Sequence, residues 1–126
     1  MKQVILIRRD LNMRRGKEIA QGSHASMGFL IEQLRAQMPS SEASVTLDAA
    51  TQEWIQFGMG KICLQVTSEA DLLSFHAKAK AAGVYSFLVR DSGRTEFHGE
   101  PTYTACAIGP DTAERIDAIT GELNLY

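Results

Sequence analysis

Apolar residues occur along this chain in short runs and in helical repeats, separated by glycine, proline and small polar residues. Residues 3–7 form a nearly continuous apolar run, which is typical of a central strand covered on both faces. The runs at 61–66, 85–89 and 102–108 predict three further strands. Because the connection between the last two is short, we expect those strands to pair antiparallel.

The segments between these runs have helical spacing and helix-ending residues. The predicted helices are 14–38 before Pro39, 46–58 with Thr46 as cap, 68–83 with Ser68 as cap, and 109–121 with Pro110 in the first turn. The first helix is expected to pack on the sheet through its most apolar sector, which contains Ile19, Ala20, Met27, Leu30, Ile31 and Leu34.

The resulting order, β-α-α-β-α-β-β-α, predicts an α/β fold. Crossover helices imply some parallel pairing, and the final hairpin makes the sheet mixed. We therefore expect a four-stranded mixed sheet flanked by helices on both faces. A length of 126 residues fits one core, so residues 1–126 are expected to form a single domain.

Composition narrows the class of protein. Hydrophobic content of 44% and charged content of 22% are ordinary for a globular protein. No apolar run approaches the ~20 residues that span a bilayer, and the first residues lack a secretory signal pattern, so a cytoplasmic protein without a membrane segment is expected. Cys63 and Cys106 lie in predicted strands and are expected to be buried thiols rather than a disulfide or metal site.

The charges are unevenly distributed. The formal net charge of −2 argues against a basic nucleic-acid binder as a whole. Six of the 13 basic residues nevertheless fall in the first 17 positions, namely Lys2, Arg8, Arg9, Arg14, Arg15 and Lys17. This cluster is either a solvated surface or a local positive field for a polyanion.

One polar cluster is predicted on the first helix. Lys17, Gln21 and His24 are spaced i, i+4 and i+7, so they point in about the same direction. They lie near the start of the helix, just after the first strand. A cation is unfavourable in the first turn of a helix, so Lys17 is either a surface lysine or a residue that binds an anionic ligand. The helix N-terminus itself also favours anions.

A second polar cluster follows the third strand. Asp91, Arg94 and Thr95 come directly after it, and Thr102 and Thr104 begin the fourth strand. In open α/β sheets, ligands bind beyond the carboxyl ends of parallel strands. If the first and third strands are parallel, the two clusters converge on one site.

These blocks resemble the type II peptidyl-tRNA hydrolases, the group typical of archaea and eukaryotes. The family's R-x-D-L-x-M-x-x-G-K-x-x-A-Q-x-x-H-A matches residues 8–25, and its W-x-x-x-G-x-x-K matches 54–61. Its D-x-G-R-T matches 91–95, and its T-x-x-x-x-G-P matches 104–110. The chain differs in carrying Ser92 where the family has alanine, a longer link at 38–47, and a shifted turn at 96–103. Aligning the Gly-Pro pair at 109–110 selects Thr104 over Thr102 as the family threonine.

The resemblance implies hydrolysis of the ester between a peptide and the 3′ end of tRNA by an activated water. It also implies no metal or organic cofactor, and a homodimer. The catalytic residues it implies are Lys17, His24, Asp91, Thr95 and Thr104. The residues that would bind peptidyl-tRNA are Arg14, Arg15, Gln21, Arg94 and Thr102.

Several roles remain open at this point. Lys17 would bind a phosphate or stabilise an oxyanion, His24 would shuttle a proton or only bond a carbonyl, and Asp91 would orient water, deprotonate it, hold Lys17 or cap a turn. No G-x-S-x-G motif occurs, and His24, His76 and His98 have no metal-ligand spacing. The alternative function is a non-catalytic RNA- or protein-binding module on the same fold.

Overall fold

A computed structural model describes residues 1–94 and 96–126 of the chain. Its elements are β1 (Lys2–Arg8), a 3-10 turn (Arg9–Leu11), α1 (Arg15–Arg35), α2 (Ala49–Gln56), β2 (Lys61–Val66), α3 (Glu69–Ala81), β3 (Ser86–Asp91), β4 (Thr102–Asp111) and α4 (Ala113–Thr120). The predicted order of strands and helices is confirmed. No helix in the described ranges is long and apolar enough to cross a membrane.

The strands form one four-stranded mixed sheet in the order β2-β1-β4-β3. β1 pairs parallel with β2, whereas β4 pairs antiparallel with both β1 and β3. β1, β2 and β3 therefore share one direction, and their carboxyl ends lie at the same end of the sheet. This is the arrangement in which open α/β sheets place ligand sites.

Helices cover both faces of the sheet, as predicted. Val4 and Leu6 of β1 belong to a core that includes Leu72 of α3 and Ile116 of α4. The alternate β1 residues, such as Ile5, belong to a second core on the α1 side. Side chains of successive strand residues point to opposite faces, so one strand supplies both cores.

The face of α1 that packs on the sheet differs from the predicted one. Ile19 and Met27 are 64% and 52% exposed, whereas Gln21, Ala25 and Phe29 are buried. The apolar sector predicted from spacing was therefore wrong for the first turns of the helix. Small and polar residues face the sheet there because strand side chains fill the space and Gln21 meets a polar partner described below.

Gly28 shows how closely α1 approaches the sheet. A Cβ atom at this position would lie 2.0 Å from the ring of Phe87. Glycine therefore admits the aromatic ring of β3 against the helix backbone. The helix gains this packing at the cost of a residue with low helix propensity.

Two predicted boundaries in the first half of the chain were wrong. α2 begins after Asp48, whose carboxylate accepts from the Thr51 N–H at 2.8 Å, and not at Thr46. Aspartate and threonine are both favoured N-cap residues, so residue type alone did not decide between Asp48 and Thr46. In α1, the predicted end was late, since the helix stops at Arg35.

The last helix also begins later than predicted. Gly109, Pro110 and Asp111 lie in β4, and α4 starts at Ala113 with Thr112 as its side-chain cap. Pro110 is compatible with the strand because the β1–β4 register is irregular there. The turn composition had indicated a helix start instead.

The two cysteines have different environments. Cys63 is exposed, so its predicted burial was wrong, because β2 is an edge strand. Cys106 is buried in β4 as predicted, and burial raises the pKa of its thiol to about 11 although a hydrogen bond with Ser86 opposes this. Neither cysteine is in a disulfide.

Candidate active site

The site is centred on an ion pair between α1 and the end of β3. Lys17 Nζ lies 2.9 Å from Asp91 Oδ1, and only 14% and 13% of the two side chains are exposed. The residues are far apart in sequence, but α1 follows β1, and β1 and β3 run in the same direction. The predicted convergence of the two polar clusters is confirmed for this pair.

Asp91 accepts hydrogen bonds on both carboxylate oxygens. The Gly93 N–H donates to Oδ2 at 2.8 Å, and Gln21 Nε2 donates to Oδ1 at 3.4 Å in addition to Lys17. Desolvation by itself would raise the pKa of Asp91, but these donors together lower it below its usual value. The carboxylate therefore stays ionised at neutral pH.

Gln21 connects this ion pair to Thr104 of β4. Gln21 is 2% exposed and Thr104 is fully buried. The Thr104 hydroxyl donates to Gln21 Oε1, which leaves the Gln21 amide N–H groups to point at Asp91. Gln21 therefore links Thr104 to Asp91.

A β-bulge turns Thr104 toward α1. Val89 of β3 is opposite Ala105, whereas Arg90 is opposite Tyr103, so Thr104 is the extra residue on β4. A bulge breaks the strict alternation of faces. The hydroxyl consequently faces α1 together with Ala105, and this placement could not be read from spacing.

His24 and Thr102 are predicted site residues that lie outside this hydrogen-bond network. His24 is exposed on α1, on the same side as Gln21, and its side chain makes no hydrogen bond within the part of the chain that the structure describes. The Thr102 hydroxyl donates to the carbonyl of Glu100 at 2.8 Å. Thr95 lies outside the described residues.

Two residues of the 96–103 turn contribute to the site, although no pattern in the sequence selects them. Glu96 Oε1 lies 2.7 Å from Arg14 Nε, and the Arg14 side chain is 81% exposed. Phe97 lies beside the site, with Lys17 Nζ 5.7 Å from its ring centre. These contacts place the shifted turn next to the start of α1.

The basic cluster of the first 17 residues does not form one patch. Lys2 pairs with Asp117 at 2.6 Å, and Arg8 is buried against Asp10 at 2.6 Å. These cations balance acids elsewhere in the fold. The positive surface near the site is therefore smaller than the sequence suggested.

Three cations remain near the site in the chain, and one of them, Arg14, is exposed although it pairs with Glu96. Arg14 begins the helix segment, Arg15 is the first residue of α1, and Arg94 follows β3. Arg15 and Arg94 are exposed. Arg14 and Arg15 precede Lys17 in the chain, and Arg94 follows Asp91.

A groove of about 510 Å³ opens beside the ion pair, between α1 and β3. Its walls are Gln21, His24, Met27, Ile31 and Arg35 of α1 and residues 87–92. The groove thus starts at Asp91 and extends along the strand. Within residues 1–94 and 96–126, no group of three His, Cys, Asp or Glu side chains is arranged to hold a metal ion.

Comparison with known proteins decides the family. The family model described as peptidyl-tRNA hydrolase PTH2 matches residues 1–126. The chain belongs to this family. It is 39% identical over 126 residues to the peptidyl-tRNA hydrolase of Methanocaldococcus jannaschii, with 99% of each chain covered. It is 41% identical over 125 residues to that of Methanopyrus kandleri, with 98% of this chain and 97% of that protein covered.

A eukaryotic relative is similar to a comparable degree. The probable peptidyl-tRNA hydrolase 2 of Dictyostelium discoideum is 40% identical over 125 residues, which cover 99% of this chain and 54% of that protein. The resemblance stated from sequence motifs is therefore confirmed.

Some of the PTH2 family motif residues have structural contacts rather than site contacts. Trp54 Nε1 donates to the Gly60 carbonyl at 2.8 Å, and Lys61 Nζ lies 4.9 Å from the indole centre. This block fastens α2 to the start of β2. Arg8 and Asp10 of the opening block form the pair described above. The motif residues at the groove are those around Lys17, Gln21 and Asp91.

Proposed function

We propose that this chain hydrolyses the ester that joins a peptide to the 3′ end of tRNA, in the cytoplasm and as one domain over residues 1–126. The observation that carries the proposal is the Lys17–Asp91 ion pair. It lies at the carboxyl ends of β1 and β3, in a chain that matches the PTH2 family over its full length. Relatives named peptidyl-tRNA hydrolase support the same reaction.

Asp91 acts mainly by positioning Lys17 in this proposal. An efficient general base needs a pKa near the working pH, whereas Asp91 has a lowered pKa and accepts three hydrogen bonds. A carboxylate in this state holds an ammonium well and removes a proton poorly. Lys17 then stabilises the negative charge that develops on the carbonyl oxygen of the ester during attack by water.

The other candidate residues support this centre. Gln21, fixed by Thr104, keeps Asp91 oriented toward Lys17, so Thr104 is a positioning residue. His24 lies exposed at the groove wall, where it can exchange protons between the attacking water and solvent. Thr95 completes the proposed catalytic set on the strength of the family motif.

Binding of the tRNA is assigned to Arg14, Arg15 and Arg94, with Thr102 at the adjacent turn. Contacts to phosphates confer affinity without base specificity, which suits an enzyme that acts on many tRNAs. Arg14 and Arg15 are exposed and come just before Lys17 in the chain, which supports this assignment.

Charge reversal tests the tRNA-binding assignment. Arg14→Glu with Arg15→Glu should weaken tRNA binding strongly and lower the dependence on salt, since each lost phosphate contact removes ~0.7–0.9 from the log–log slope. Lys78→Glu with Lys80→Glu changes the charge equally on α3, across the sheet, and should have a much smaller effect. Equal losses for the two double variants would contradict a specific basic edge.

Two further properties belong to the same proposal. We expect a homodimer, supported by exposed Ile19 and Met27 on α1, because exposed apolar patches favour association; sedimentation equilibrium measures the mass. We also expect the reaction to need no metal, so that a chelator leaves the rate unchanged.

The decisive experiment for the proposed function is release of deacylated tRNA from purified peptidyl-tRNA by the pure protein. Release that depends on Lys17 supports the enzyme. Tight tRNA binding without release would replace the enzyme by the binding module.

A further inference from the structure

The two edges of the sheet differ in whether another segment of the chain pairs with them. At the β2 edge, residues 124–126 pair with the strand, since the Gln65 N–H donates to the Asn124 carbonyl and the Tyr126 N–H to the Cys63 carbonyl, both at 3.0 Å. β3 forms the other edge and pairs only with β4 among the described strands. An edge strand with unpaired backbone groups is a template for another extended chain. The open edge is the one beside the candidate active site.

The hydrogen bonds of β3 show which backbone groups are open. The Gly109 N–H donates to the Tyr85 carbonyl at 2.8 Å, so Tyr85 turns this carbonyl toward β4. Backbone groups alternate in direction along a strand. The backbone N–H and C=O groups of Phe87 therefore point to β4 as well, whereas those of Ser86 and Leu88 point away from the sheet. No partner for these groups is found in residues 1–94 and 96–126.

The groove between α1 and β3 leads from this edge to the ion pair. It is bounded by residues 87–92 on the strand side and ends at Gln21 and Asp91. In peptidyl-tRNA the ester is at the carboxyl end of the peptide. If the ester lies at Asp91, the peptide must leave the site in the other direction from the tRNA, and the groove provides that path.

We infer that the peptide part of the substrate binds in this groove as an added strand on the open edge of β3. This inference rests on the proposed function. β3 ends at Asp91 and the peptide also ends at the scissile ester there, so the added strand runs parallel to β3. Binding through backbone groups depends little on side chains, so such a site would accept peptides that differ in sequence. Ile31 and Phe87 supply apolar surface beneath it.

Substrates with different peptide lengths test the inference on the wild-type protein. We expect KM for N-acetylated peptidyl-tRNA to fall ~2–10-fold for each additional backbone hydrogen bond, while kcat changes little. β3 has 6 residues, and an extended chain advances ~3.3 Å per residue. The gain should therefore stop when the peptide reaches about the length of the strand.

Backbone methylation gives a sharper test, because it has an internal control. In parallel pairing, only every second peptide N–H points at β3. N-methylation at those positions should raise KM by a similar factor, whereas N-methylation at the intervening positions should have little effect. The tRNA, the side chains and the ester are identical in the two sets.

Leu88→Pro tests the protein side of the same contact. The Leu88 N–H points away from β4, so proline removes this open donor without breaking a bond of the ladder. Leu88→Ala loses the side chain but keeps the donor. We expect the proline variant to lose part of the length dependence of KM that the alanine variant keeps. If the proline variant does not fold, the methylated substrates still decide.

The outcomes separate this inference from the proposed function. Hydrolysis with no effect of peptide length or of alternate N-methylation would overturn the inference and leave the proposed function standing. Absence of hydrolysis with every substrate would overturn both. Alternating methylation effects with the expected length dependence would establish the added strand.

Discussion

Asp91→Asn is the substitution that best tests how the ion pair works. It preserves shape but removes the charge that faces Lys17. Asp91 also accepts from the Gly93 N–H at 2.8 Å and from Gln21. Asparagine has one acceptor oxygen in place of two, so its amide N–H groups must point at one of these donors.

The loss in free energy of unfolding can be estimated from the burial of the ion pair. A hydrogen bond to a charged group contributes ~1.5–3 kcal/mol. Exposed ion pairs contribute ~0.2–1 kcal/mol, and breaking fully buried ones costs ~3–5 kcal/mol. With 14% and 13% of the side chains exposed, we expect Asp91→Asn to lower the free energy of unfolding by ~1.5–3 kcal/mol at neutral pH. Chemical denaturation with circular dichroism measures this loss.

We expect the loss of transition-state stabilisation to be larger than the loss of folding stability. If Asp91 holds Lys17 in place, removing it costs the transition state an oriented cation, worth ~10²–10³-fold in kcat. Lys17→Met should cost about the same, and the double variant should be little worse than either single one. Single-turnover release of tRNA gives these rates.

The pH dependence of stability identifies the charge as the cause. A lowered pKa in the folded protein means that the ion pair stabilises above the unfolded pKa, near 3.8, and that this contribution is lost as pH falls through the folded value. The stability difference between wild type and Asp91→Asn should therefore be constant at neutral pH and shrink in acid below about pH 4. A difference that does not shrink, or kcat unchanged in both single variants, would refute this account of the ion pair.

Two other substitutions have expected outcomes on stability. Thr104→Val leaves the buried Gln21 oxygen without a donor and should cost ~1–3 kcal/mol, whereas Thr104→Ser should retain most of the stability and activity. Gly28→Ala places a methyl group against Phe87, and overpacking of ~1–3 kcal/mol should exceed the ~1 kcal/mol gained in helix propensity. Gly16→Ala, whose added methyl group would have no atom within 4 Å beyond its own helix and chain neighbours, should not destabilise. Denaturation midpoints check each, and equal effects at the two glycines would contradict the packing argument.

Strand positions were predictable because they depend on local composition. The run at 61–66 matches β2, and the other strands begin within a residue or two of their predicted starts. The buried face of α1 was not predictable in the same way. Ile19 and Met27 are more apolar than Gln21 and Ala25, yet the latter pair faces the sheet. The buried face of α1 is determined by the space that strand side chains leave, and this space depends on tertiary packing.

The candidate site was predictable only in part, for a related reason. The meeting of Lys17 and Asp91 follows from topology, because both follow strands that end at the same end of the sheet. The contact between Arg14 and Glu96 depends instead on the path of a turn. Long-range polar contacts between loops have no periodicity that a sequence could display.

Thr104 illustrates how one local irregularity determines the polarity of the site. Strict alternation from Ala105 would turn Thr104 to the face that carries α3 and α4, where a buried hydroxyl would need another partner. The bulge opposite Val89 and Arg90 instead turns it to α1. Its hydroxyl then fixes the Gln21 amide, and the amide N–H groups add to the donors that keep Asp91 ionised. The register of two strands therefore contributes to the charge state of a carboxylate at the end of one of them, and through it to the position of the Lys17 ammonium.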